Sequence, residues 1–301
     1  MRDKVVAMKQ GLSTAVVGFA VLSTITAAGA AACVQIAAQD IPIGQIVFFR
    51  GICALPILLL CTRLDGPLCV SLSVNSPMKH LQRALIGCAG LTCFYVSISL
   101  LPLSLAVAVS YLVPTFVAVN EVSNSKWTSG FSLIATALVG LGGVALILGQ
   151  HMAVDTIDAR IGAGLACGVL GAVLTSAALI RVRALTKTDA PGAIAFYFSL
   201  ACTILGLMTL SLGWSEFGTT VAVALAGCGL LSAISHVTLT QALARAGAAK
   251  VAPFDYLILV WTLGYQIFAS GRSPTMAEIA GVAGVILAMQ LPGALQRARS
   301  E

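Results

Sequence analysis

Ten long apolar stretches follow one another along the chain, and only two of them are interrupted by a charge, Arg50 and Asp255. A helix crossing the hydrocarbon core of a bilayer needs about 20 mostly apolar residues. The first five stretches are Gly11–Ala32, Ile43–Cys61, Ala84–Leu101, Ser104–Val119 and Gly130–Leu148. The second five are Ile161–Ile180, Ala193–Leu212, Thr219–Ala242, Val251–Ala269 and Ile279–Leu291. With short loops between them, ten such spans use up nearly all of the 301 residues and leave no space for a soluble catalytic domain. Charged residues make up 9% of the chain, against roughly 25% in soluble globular proteins. That is too little charge to cover a watery surface of this size, so the outer surface faces lipid. The expectation is an all-α membrane protein of ten transmembrane helices.

The basic residues set the orientation. With the N-terminus in the cytoplasm, fourteen of the 17 lysines and arginines fall in inside segments, two fall outside, and Arg50 lies within a span. This follows the positive-inside rule and predicts that both termini are cytoplasmic. The net charge of +6 therefore reads as a topology signal, not as a nucleic-acid footprint. The basic N-terminus and Gly29-Ala30-Ala31-Ala32-Cys33 resemble a lipoprotein signal, but the first apolar run is longer than a signal core of about 7–15 residues.

The two halves share spacing. Gly140-Leu141-Gly142-Gly143-Val144 resembles Gly281-Val282-Ala283-Gly284-Val285, and Pro42-Ile43-Gly44 resembles Pro191-Gly192. Residues 1–150 and 151–301 thus read as two five-helix repeats. An odd number of spans per repeat makes the second enter from the opposite side, an inverted topology common in secondary transporters.

Several segments resemble the EamA-type carriers of the drug/metabolite transporter superfamily. They are Phe48-Phe49-Arg50-Gly51, Arg83, Phe94-Tyr95 through Leu101-Pro102, Ala106–Pro114, and Val251-Ala252-Pro253-Phe254-Asp255-Tyr256 with Trp261. The resemblance extends over essentially the whole chain. It departs where family members end spans four and nine with a Gly-Glu pair: here those spans run into Asn120-Glu121 and Ala269-Ser270. The resemblance implies a carrier for a small metabolite in the cytoplasmic membrane. Cargos in that family include amino acids, sugars, riboflavin, S-adenosylmethionine and xenobiotics.

Charged groups inside a span need a partner, a wet cavity or a function. Arg50 is a candidate for anion binding or gating; the alternative is an arginine that caps carbonyls and fixes packing. Asp255, beside Pro253, is a candidate for binding an amine or coupling a proton, or else an ion-pair partner of Arg83 or Lys250. His236 lies at a depth similar to Asp255 across a hairpin, and either couples protons with it or packs as a neutral side chain. Tyr95, Tyr111, Tyr256 and Trp261 are aromatics within spans that line a path or fill the core. Pro114 and Pro253 are candidate hinges or plain kinks. Gly164 and Gly168 form a GxxxG that marks close helix approach, within the fold or between two copies.

The nine cysteines include no CxxC pair and lie mostly in apolar runs, so neither a disulfide framework nor a metal site is expected. There is no HExxH, P-loop or Gly-x-Ser-x-Gly motif, and no cofactor is expected. The leading reading is a non-enzymatic secondary transporter of an amino acid, vitamin or nucleoside-like compound. It works by alternating access, driven by protons or exchange, with a small-molecule cargo and membrane lipid as partners, as a monomer or homodimer. The competing readings are a membrane-embedded enzyme and a non-transporting helper subunit.

Overall fold

The computed structural model describes residues 13–65, 67, 72–113, 116, 159–185, 188–246, 251, 254, 257–270, 275–276, 279–280 and 283–284. Among these residues there are eight α-helices: α1 (Thr14–Ala37), α2 (Ile43–Asp65), α3 (Pro77–Leu100), α4 (Leu103–Ser110), α5 (Ala159–Leu185), α6 (Pro191–Met208), α7 (Thr219–Ala246) and α8 (Leu257–Ser270). A 3-10 turn, Thr209–Leu212, continues α6. Six of the helices, α1, α2, α3, α5, α6 and α7, are long and apolar enough to cross a bilayer.

This corrects the expected fold of ten transmembrane helices in two inverted five-helix repeats. The described residues form eight helices, of which six are membrane-spanning by length and composition. The expected fourth and ninth spans lie partly outside the described residues. Within the described residues they give α4 with 8 residues and α8 with 14. At 1.5 Å per residue those reach about 12 Å and about 21 Å, well under a hydrocarbon core of about 30 Å. The expected fifth span lies outside the described residues, as does most of the tenth.

Local chemistry explains where the helices begin. Ser13 caps α1, its Oγ accepting from the Val16 N–H at 3.4 Å. Pro77 and Pro191 open α3 and α6, where a missing N–H costs nothing. Hydroxyls inside α1 turn back on their own helix: Ser23 donates to Ala20 O at 2.7 Å and Thr26 to Leu22 O at 2.8 Å. These polar residues can therefore sit in an apolar environment without orphaned donors.

The helices pack as three close pairs, α1 with α7, α3 with α5, and α2 with α6. Each pair joins an early helix to a late one. Small residues make this possible, because helix association in lipid relies on close packing more than on apolar burial. A Cβ at Gly171 of α5 would sit 3.2 Å from the Gly90 carbonyl of α3. A Cβ at Gly206 of α6 would sit 2.5 Å from the Phe48 nitrogen of α2. The GxxxG pair also faces inward, Gly164 against Leu100 and Leu101, and Gly168 against Ser97 and Val109.

The outward face carries large apolar side chains, including Leu60, Leu170, Leu207, Val223 and Phe268. Exposed apolar surface on this scale suits lipid and would aggregate in water. The chain is a multi-pass protein of the inner membrane.

Candidate functional site

A cavity of about 340 Å³ lies among the helices, lined from α2, α3, α4, α5, α6 and α7. Its walls are largely apolar, with Leu91, Phe94, Val113, Ala172 and Leu179 among them. Glycines keep it open: Gly87, Gly168 and Gly171 all line it. A Cβ at Gly87 would press on the Phe198 ring at 3.1 Å and on Arg83 Nη1 at 3.4 Å.

Three basic side chains converge on this space, Arg50 from α2, Arg83 from α3 and His236 from α7. Arg50 is buried, at 5% exposure. Its Nη2 lies 3.2 Å from His236 Nε2. A guanidinium has only donors, so His236 Nε2 must accept, and the imidazole is the neutral form with its proton on Nδ1. A proton on Nε2 would put two donors face to face and break this contact.

Phe198 of α6 links the two arginines. Its ring centroid lies 5.5 Å from the Arg50 guanidinium carbon and 4.0 Å from that of Arg83. The two guanidinium carbons are therefore no further apart than the sum of those distances. The electron-rich ring face attracts both cations and holds them as neighbours despite their mutual repulsion. Even so, Nε and Nη1 of both arginines are buried without a hydrogen-bond partner. Among the described residues the one side-chain ion pair is elsewhere, between His80 and Asp189.

The other expected site residues divide clearly. Arg50 and His236, 186 positions apart, are brought into contact. Tyr95 is buried behind the cavity, its hydroxyl 3.8 Å from Cys228 Sγ, next to a Cys88–Cys202 thiol pair 3.1 Å apart. Tyr111 packs against the main core just after α4. Trp261 is on α8 and donates from Nε1 to Thr24 Oγ1 of α1 at 3.1 Å. Pro114, Pro253, Asp255 and Tyr256 lie outside the described residues. Among the described residues no cluster of His, Cys, Asp and Glu could hold a metal ion.

Two cavity residues were not expected as site residues, Arg83 and Phe198. The expected third span began at Ala84, which put Arg83 at its mouth. In the structure α3 begins at Pro77, so Arg83 is nearly two turns into the helix. A signal was present in Ser76-Pro77, a helix opening followed by a polar first turn.

A second polar cluster lies one turn from Arg83 along α3. The Asp189 carboxylate is 3.0 Å from His80 Nε2 and accepts from the Asn75 N–H at 2.9 Å, Asn75 Nδ2 at 3.0 Å and Thr188 Oγ1 at 3.2 Å. These donors, led by the Asn75 N–H, hold its carboxyl below the ordinary carboxylate range.

No family model matches the chain. It is similar to the pseudopaline exporter of Pseudomonas aeruginosa, 27% identical over 274 residues that cover 89% of this chain and 92% of that one. It is similar to a riboflavin transporter of Rhizobium johnstonii, 27% identical over 63% of this chain and 61% of that one. It is also similar to a transporter of Helicobacter pylori, 24% identical over 83% of this chain and 86% of that one. A solved crystal structure shares the fold with a TM-score of 0.71 at 15% identity, covering 97% of this chain and all of the other. The chain is a multi-pass membrane transporter for a small molecule, related to several distinct transporter families.

Proposed function

We propose that this protein is a secondary carrier of the EamA type, moving a small organic metabolite across the cytoplasmic membrane by alternating access. The observation that carries this reading is the cavity of about 340 Å³ lined by helices and furnished with Arg50, Arg83 and His236. Pockets for small organic molecules span roughly 300–1,000 Å³ and combine apolar walls with a few placed polar groups. The relatives support the cargo class, since an exporter of pseudopaline and a transporter of riboflavin both handle small organic molecules. The sequence motifs Phe48-Phe49-Arg50-Gly51 and Val251–Tyr256 support the EamA reading. With no nucleotide-binding motif in the chain, the driving force is a gradient or an exchange of solutes.

Reconstitution tests this. The full chain in proteoliposomes is expected to carry at least one labelled amino acid, vitamin or nucleoside saturably, above protein-free vesicles. No flux in either direction for any of them would overturn the reading.

A further inference from the structure

The cavity contains two cations and, among the described residues, no anion that pairs with them. Arg50 and Arg83 come from different helices and meet over one phenylalanine ring. Burying a guanidinium is tolerated when its donors are used, and strongly unfavourable when they are not. Here Arg50 uses Nη2 on His236, while its Nε and Nη1 are left over. Arg83 has the same two nitrogens left over. Nε carries one N–H and Nη1 two, so each arginine still offers several donors beside the cavity. Phe198 offsets part of the charge but accepts none of these hydrogen bonds in a useful geometry, being a face and not a lone pair.

We infer, resting on the carrier reading above, that the cargo is an organic acid whose oxyanion, a carboxylate or phosphate, is held between Arg50 and Arg83. The oxyanion supplies what the described lining of the cavity does not: negative charge, with several acceptor lone pairs in one compact group. The remainder of the cargo is apolar or flat, because it meets Leu91, Phe94 and Val113. His236 positions this site without carrying a charge. As a neutral acceptor it orients the Arg50 guanidinium and does not compete for the anion. A neutral or cationic cargo would leave both arginines unpaired and would add repulsion in the second case. The site therefore selects by charge first and by shape second.

The experiment uses the full chain in proteoliposomes and matched pairs of solutes that differ in one acidic group. Nicotinate is compared with nicotinamide, glutamate with glutamine, and adenosine monophosphate with adenosine. The expected result is saturable uptake of at least one acid at a rate roughly tenfold or more above its neutral partner. Arg83→Gln is expected to lose that preference, and Arg83→Lys to retain part of it, since charge stays while the planar fork is lost. The melting temperature of each variant, read in detergent, separates loss of the site from loss of the fold. Carriage of neutral solutes with no preference for their acids overturns the inference and leaves the carrier reading standing. No carriage of any solute removes both. Stabilisation by phosphatidylglycerol that no soluble acid reproduces would assign the arginines to a lipid headgroup and also overturn the inference.

Discussion

One turn of α3 separates two polar clusters that are built on opposite principles. At His80 the carboxylate of Asp189 meets four donors, from an imidazole, a backbone amide, a side-chain amide and a hydroxyl. At Arg83 two guanidiniums meet a phenylalanine and one imidazole, and retain buried donors with nothing to donate to. Both clusters tie α3 to the region of α6. The chain is thus able to satisfy buried charge in this part of the fold, and among the described residues it has not done so at the cavity. A closed network fixes helices in place, and its polar groups have no capacity left. An open one holds capacity in reserve for a ligand, at a cost in stability. On the inference drawn above, the first cluster serves structure and the second recognition.

The largest effect is expected from Arg50→Gln. Acid uptake should fall roughly 100-fold, the scale of losing hydrogen bonds to a charged group. The protein's melting temperature should hold or rise, because an unpaired buried charge has been removed. A large drop in melting temperature with uptake per folded molecule intact would reverse the assignment and make Arg50 structural.

Packing can be separated from polar chemistry at Gly206. It touches neither cluster, yet its α-carbon faces the Phe48 backbone of α2 too closely for a methyl group. Gly206→Ala should destabilise the α2–α6 pair by about 1–3 kcal/mol, the usual cost of overpacking. Heat challenge followed by size-exclusion chromatography measures this. The preference for acids over amides should survive in the fraction that remains folded. If the preference disappears as well, helix spacing and not the arginine pair sets it.

A smaller effect is expected from His80→Gln. It removes the imidazole and its contact with the Tyr197 ring, whose centroid is 5.7 Å away. The melting temperature should fall by a few degrees. Acid preference should be unchanged, since the cavity is intact. Altered preference with unaltered melting would mean that the closed cluster takes part in recognition.

How far the sequence foresaw this contrast depends on what kind of information each feature carries. Hydropathy is local, and it located the helices well: the starts Ile43 and Thr219 were expected and found, and the other long helices begin within a few residues of expectation except α3. Hydropathy does not settle how many of the stretches span: among the described residues six helices are long and apolar enough to cross a bilayer, and α4 and α8 have 8 and 14 residues. Arg50 stood out because a charge in an apolar run is conspicuous. His236 stood out as well, but beside Asp255; its contact with Arg50 did not, since the approach of α2 and α7 depends on Gly229, and no spacing rule spans 186 positions. Arg83 was hidden by polar neighbours in the first turn of α3, and Phe198 by being one apolar residue among many. Asp189 gave no signal either, because a loop aspartate looks solvated until the loop is folded onto His80.

The smallest effect is a pH dependence that belongs to the closed cluster alone. The donors around Asp189 favour its charged form, so its carboxyl in the folded protein titrates below the ordinary 3.8. The unfolded chain then takes up a proton before the folded one does. The stabilisation is fully present above that ordinary value and is lost as pH falls through the folded value. Melting temperatures measured in buffers from neutral to below pH 3.8 should therefore fall for the wild type. The fall should be shallower for Asp189→Asn, which has no such proton to take up. Arg50→Gln and Arg83→Gln should follow the wild-type slope, because guanidinium groups do not titrate in this range. Superposable curves for the wild type and Asp189→Asn would show that the four donors do not hold the carboxylate. The contrast between a closed cluster and an open one would then lose its first member.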